Sequence, residues 1–324
     1  MSSLVGQEAQ VQAFLAANAG TRMHHGWILA GPKGLGKASF ARAAATRLLA
    51  EAAGPPPGSE GLFVAGGHPI RSLIEAGTHP DFKYLTRLER ESGDLARNIG
   101  VDQIRSLQRL FSNAPSLSSR RVIIIDAADD LERGAANALL KNLEEPPPGT
   151  LFLLVSHAPG RLLPTIRSRC RLLRFSALDD KQMEAVLRKE LPQAVAQEIA
   201  TLIKVGEGSP GKALSFAGLD LAGIEKSLEV IIRDGDPSNE ERLALSRALS
   251  TKAGRSRYEA FLERAPAFIA AQARAGKAAT LPAAIKAWEE ARQLSASAIP
   301  LSLDPATVVF EMCGYVAEAG RPEG

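Results

Sequence analysis

The sequence predicts an α/β core built on a parallel sheet, followed by two stretches that are helical throughout. Three observations carry that expectation. Short, nearly unbroken apolar runs alternate with longer Ala-, Leu- and Arg-rich segments through the first half, as strands buried on both faces and joined by helices do. A Gly-rich stretch, LAGPKGLGKASF (29–40), ends the first of these runs and opens into a helix-forming segment. From about Ser176 the strand-like runs stop and helical periodicity takes over.

Taken in order, WILA (27–30) is the first strand, and ASFARAAATRLLAEAA after the Gly-rich turn is a helix by composition. The Pro/Gly-rich stretch 54–69 reads as a loop or insertion without visible chemistry. FKYL (82–85) is the second strand. RVIIID (121–126) and LFLLV (151–155) are the third and fourth, and RLLRF (171–175) is a weaker fifth. Between the third and fourth, Leu131, Ala135, Ala138, Leu139 and Leu143 recur at helical spacing. Pro146, Pro147 and Pro148 lack the N–H that a helix needs, so this helix ends near Glu145. Ser176 and Asp179 stand at capping-box spacing ahead of a further helix. A second covers roughly Gln193 to Lys204 and stops at GEGSPG (206–211). Beyond Asp220 the chain is helical, punctuated by GDPSN (235–239), Pro266 and Pro282. The expected division is 1–175, 176–218 and 219–324.

A chain of 324 residues with 45% hydrophobic content has room for two or three domains with real cores. The net charge of +3 is too small for DNA binding by bulk charge alone. Two cysteines far apart in sequence argue against a disulfide framework and for a reducing compartment. No signal peptide or membrane-spanning run is seen, which makes a cytoplasmic protein with no membrane partner the expectation.

The Gly-rich stretch fits G-x-x-x-x-G-K-[ST] except at its last place. In such a loop, backbone N–H groups and a helix N-terminus cradle phosphates, the Lys reaches the β/γ-phosphates, and the next hydroxyl holds Mg²⁺. Gly31, Gly34, Gly36 and Lys37 are the candidate nucleotide-binding residues, but Ala38 stands where the hydroxyl belongs. Ser39 lies one helical step away, a rotation of about 100°, and does not replace it. Asp126 ends an apolar strand, where a metal-orienting carboxylate belongs. Its followers, Ala127 and Ala128, offer nothing to activate water. Asp129 and Asp130 are expected as solvated or helix-capping acids. ATP or ADP would be held weakly and not hydrolysed.

Further stretches are more distinctive: ANALLKNLEEPPPGTLFLLVSHAPGRLLPTIRSRC (136–170), GTHPDF (77–82), GSPGKAL (208–214) and VGQ (5–7). With the altered phosphate loop, they resemble the clamp-loader branch of the AAA+ superfamily, and within it the delta-prime family. The resemblance is strong to about residue 215 and weaker through the tail, where AWEEARQL and LSLDP are similar to a collar domain. It implies a RecA-like AAA+ module, a helical lid and an all-α collar that joins four other subunits in a hetero-pentamer of the DNA polymerase III holoenzyme. Tau/gamma and delta would be neighbours, with the sliding clamp and primer–template DNA met through the complex. It also implies a chain without ATPase activity of its own, and assigns Arg169 of the Ser168-Arg169-Cys170 motif as an arginine acting in trans on a neighbour's ATP, with Arg167 the nearest competitor. Lys212 stands where active members carry a nucleotide-sensing arginine, and Ser156-His157 where a polar residue senses the γ-phosphate. Some members hold zinc with four cysteines. No cysteine precedes Cys170, and His68 and His79 cannot form such a site alone, so no zinc is expected. His79 reads as shaping the start of the second strand, and Cys170 as a small packing residue. Two alternatives remain: an ATP-hydrolysing motor subunit of the same machine, and a stand-alone nucleotide-binding module.

Overall fold

The computed structural model describes residues 4–18, 24–54, 57–58, 60–90, 95–276 and 280–321. The chain divides into two compact units, residues 1–192 with 206–212, and residues 193–205 with 213–324.

The first unit carries α1 (Glu8–Asn18), β1 (Gly26–Ala30), α2 (Lys37–Ala53), α3 (Pro69–Glu75), β2 (Phe82–Leu85), α4 (Val101–Phe111), β3 (Arg121–Asp126), α5 (Arg133–Glu144), β4 (Thr150–Ser156), α6 (Pro164–Arg167), β5 (Arg171–Arg174) and α7 (Asp180–Glu190). All strand pairs are parallel and the order is β2-β3-β4-β1-β5, with β4 inserted between β1 and β3. The pleat sorts the apolar runs into two cores. Val122, Ile124, Leu151, Leu153, Trp27 and Leu29 face one, with α2 and α3, while Ile123, Ile125, Phe152, Leu154 and Ile28 face the other, with α4 and α5. Strands buried on both faces need apolar residues at every position, which is why these runs do not alternate. Gln7 and Gln10 tie the start of the chain to the end of β5 by donating to Ser176 O (3.3 Å) and Arg174 O (2.9 Å).

Two helices, α8 (Ala196–Gly206) and α9 (Pro210–Ser215), run across the boundary between the units. The second unit continues with α10 (Leu221–Asp234), α11 (Glu240–Leu249), α12 (Arg255–Ala275), α13 (Leu281–Ala298) and α14 (Pro305–Ala319). No described helix is long and apolar enough to cross a membrane.

The five strands lie where the sequence places them, within a residue at each end. Four helix readings need correction. α5 begins at Arg133, leaving Leu131 outside it. α7 is capped by Asp179 with Gln182, not by Ser176 with Asp179: Asp179 Oδ1 accepts from Gln182 N (2.8 Å) and Gln182 Oε1 accepts from Asp179 N (3.1 Å). α8 starts at Ala196 instead of Gln193, because a turn at 192–193 comes first. Pro266 does not break α12. A proline leaves the carbonyl four residues earlier without its donor, and here Ser295 Oγ donates to that Leu262 O (2.8 Å) instead.

Candidate functional site

β1 delivers the chain into loop 31–36, and α2 begins at Lys37. Gly31 N donates to Ser156 O at the end of β4 (3.2 Å). A side chain at Gly31 would lie 2.5 Å from Phe175 O, and φ there is +150°, so only glycine fits between the strand ends. Gly34 is closed off in another way. Its O accepts from Gly211 N (2.9 Å), Lys33 O accepts from Ser209 Oγ (2.9 Å), and a Cβ at Gly34 would lie 2.2 Å from Ser209 Oγ. Residues 206–212 thus rest directly on the loop. Gly36, with φ +79°, leads into α2 and has open space beside it.

Lys37 is 3% exposed, and its Nζ donates to Gly31 O (2.6 Å) and Pro32 O (2.5 Å). Burial pushes its ammonium down to about 8, against the pull of Asp126 and then Asp129. Those two acids and the lysine therefore share one site. Asp126 is already engaged: the Tyr84 hydroxyl from β2 donates to its Oδ2. The Arg42 guanidinium lies 4.1 Å from the Tyr84 ring centroid. Burial, and next the Asp126 carboxylate, push the Tyr84 hydroxyl up to about 12.

Asp129 corrects the reading of it as a solvated or capping acid. Its Oδ1 accepts from Ser156 Oγ (2.9 Å) and Ala158 N (3.1 Å), and its Oδ2 accepts from His157 N (2.5 Å). It fastens the end of β4 beside the phosphate loop. Burial, and next Lys37, lower the His157 imidazole below its ordinary range. Asp130 pairs with Arg87 at 3.2 Å. Sequence reasoning missed Tyr84 and Asp129. The one available signal for Tyr84 was a hydroxyl inside a strand beside the acid-bearing one.

The residues beside Lys37 do not fit Mg²⁺. Ala38 has no oxygen, Ser39 is exposed, and Ala127 and Ala128 are buried methyl groups. Among the described residues no group of three or more His, Cys, Asp or Glu could hold a metal ion. Lys212 Nζ is paired with Glu207 Oε2 (2.7 Å).

Arg169 is elsewhere. It precedes β5, at the N-terminal edge of the parallel sheet, whereas loop 31–36 follows β1 at the C-terminal edge. It therefore stands at the sheet edge opposite its own chain's phosphate loop. Its Nη1 donates to Thr165 O (2.9 Å) and Ser168 Oγ (3.3 Å), and its Nη2 pairs with Glu144 Oε1 (2.8 Å), with a third of the side chain exposed. Arg167 is exposed at the end of α6. Cys170 packs under this segment: a Cβ at Gly26 would lie 2.9 Å from its Sγ, and burial pushes its thiol up to about 12, which keeps it protonated. His68 caps α3 by accepting from Ile70 N (3.2 Å), and buried His79 accepts from Asp81 N (3.1 Å) just before β2.

Comparison with known proteins sets this geometry in a family. "DNA polymerase III subunit delta'" of Pseudomonas aeruginosa is 36% identical over 208 residues, which are 64% of this chain and 60% of that one. "DNA polymerase III subunit gamma/tau" of Mycobacterium bovis is 34% identical over 227 residues, 68% of this chain and 37% of that one. The solved structure of a DNA polymerase III gamma subunit-related protein from Thermotoga maritima aligns over 97% of this chain and 99% of its own, at 18% identity and a TM-score of 0.43. The match thus spans less than two thirds of the length of these curated relatives. A family model described as "DNA polymerase III, delta subunit" matches residues 6–179, more than half of the chain, and the chain belongs to that family.

Proposed function

We propose that this chain is a non-hydrolysing subunit of the DNA polymerase III clamp loader, of the delta-prime type, which lends Arg169 to a neighbouring subunit's ATP site. One observation carries the reading: Lys37 and Asp126, the groups that would meet phosphate and metal, are already held within the chain. Lys37 is bound to loop carbonyls and Asp126 to Tyr84. With Ala38 and Ala127 in place of a metal ligand and a water-activating acid, ATP or ADP would bind weakly and stay intact. Residues 1–175 form a RecA-like AAA+ module in this reading, 176–218 a lid and 219–324 a collar. The partners are tau/gamma and delta subunits in a hetero-pentamer, with the sliding clamp and primer–template DNA reached through that complex.

Arg169 suits the role physically. A guanidinium is charged at every working pH, and its planar donors match phosphate oxygens. Set at the edge of the sheet away from its own loop and partly exposed, it is reachable by a second chain. There it would stabilise charge on the transferring phosphoryl group, an effect worth about 10³-fold or more in the rate at that site. A second reading, a motor subunit, is favoured by the likeness to the gamma/tau relative. It requires Mg²⁺-dependent turnover despite Ala38 and Ala127.

Steady-state ATP turnover separates the two. The isolated chain is expected to be silent. In a reconstituted loader with clamp and primed DNA, Arg169→Ala should remove the contribution of one ATP site with assembly intact. Robust turnover by the isolated chain would make it a motor. A silent chain whose Arg169→Ala complex turns over normally would leave only a scaffold.

A further inference from the structure

The guanidinium of Arg169 is held from two sides by groups far apart in sequence. Nη1 donates to the main-chain Thr165 O (2.9 Å), and Nη2 pairs with Glu144 Oε1 (2.8 Å) from the last residue of α5. Two contacts on different nitrogens fix the plane of the fork as well as its place. The end of α5 is itself anchored. Leu143 O, one residue earlier, is bonded to His25 Nε2 (2.9 Å) just before β1, and Glu145 N donates to Lys141 O (3.1 Å). Glu144 therefore stands on a fixed support, and Arg169 leans on it.

Resting on the reading of Arg169 as a donor in trans, we infer that Glu144 is its positioning residue. The Thr165 contact is main chain and survives any substitution, Ser168 Oγ adds a longer contact to the same Nη1 (3.3 Å), and Glu144 is the side-chain partner of the other nitrogen, Nη2. The ion pair is not a stability device. Its side chains are 34% and 50% exposed, and pairs that wet add little to folding. What it supplies is orientation: a mobile arginine samples many rotamers, and small misplacements at a reacting centre slow the reaction strongly. The carboxylate needs only to accept a hydrogen bond there, which an amide oxygen can also do.

The test uses the reconstituted loader with clamp and primed DNA, carrying Glu144→Ala, Glu144→Gln, Arg169→Ala or the double Ala variant. Glu144→Ala is expected to lower kcat about three- to tenfold, with KM for ATP, assembly and Tm held. Glu144→Gln should recover most of the loss. The double variant should be no slower than Arg169→Ala alone, because both changes remove one function. Wild-type or faster turnover of Glu144→Ala, alongside a slow Arg169→Ala, overturns the positioning role and leaves Arg169 as donor. A loss that follows Tm or assembly, and is equal for the Ala and Gln variants, also overturns it. Normal turnover of Arg169→Ala sinks the underlying reading and this inference with it.

Discussion

Lys37 is a cation turned inward, and its chemistry changes accordingly. In a working phosphate loop the amine points at anionic oxygens. Here it donates to two neutral carbonyls of its own loop and is almost entirely buried. Desolvation outweighs the attraction of Asp126 and Asp129 and brings its pKa from 10.5 to about 8. The sign follows directly. Between pH 8 and 10.5 the folded chain has released this proton and the unfolded chain still binds it. The unfolded state then holds more protons, so stability rises with pH across that window, and below it the full cost of burying the charge is present. An NMR titration of the Lys37 Cε signal should give a midpoint near 8, and Lys37→Met should remove that part of the stability slope. A midpoint near the ordinary 10.5 would mean that the amine is solvated and the inward placement wrong.

At the scale of elements, the phosphate loop has become a seat for residues 206–212. A methyl group at Gly211 would lie 2.7 Å from Gly34 Cα and 3.0 Å from its O, and backbone atoms cannot swing aside as a side chain does. Gly211→Ala is therefore expected to cost about 1–3 kcal/mol, as overpacking does, and to raise hydrogen exchange at Gly34–Lys37 and at 208–212. Unchanged exchange at both would mean that the two backbones are not in contact. Local signals and distant ones part company here. The strands were legible because burial on both faces demands unbroken apolar runs such as RVIIID, and the turn from β1 into α2 because its glycines interrupt a strand and open a helix-forming run. The contacts that surround the loop were not. Tyr84 reaches Asp126 across 42 residues, Asp129 meets Ser156 across 27, and Ser209 meets Lys33 across 176. No local pattern reports such a partner. The same holds for Pro266, whose helix survives because Ser295 on a different helix supplies the missing donor.

At the scale of the whole chain, each of the two compact units holds a buried charge that local sequence does not explain. In the second unit Arg264 of α12 pairs with Glu225 of α10 through two guanidinium nitrogens, Nε and Nη2, with both side chains buried. Taking such a pair out of water is costly, and its attraction roughly repays that cost, so it adds little net stability while intact. Removing one partner is another matter, since it strands the other charge: Glu225→Ala should cost about 3–5 kcal/mol. Where that loss appears tests whether the units are cooperative by themselves. α10 and α12 both contact α14, so all three helices should lose hydrogen-exchange protection together. β1, β3 and β4 belong to the other unit and should keep theirs. Replacing the pair by Glu225→Leu with Arg264→Met should restore most of the protection, because no charge is then left unpaired. If the strands lost protection in step with the helices, the chain would unfold as one body, and the division into two self-supporting units would fail.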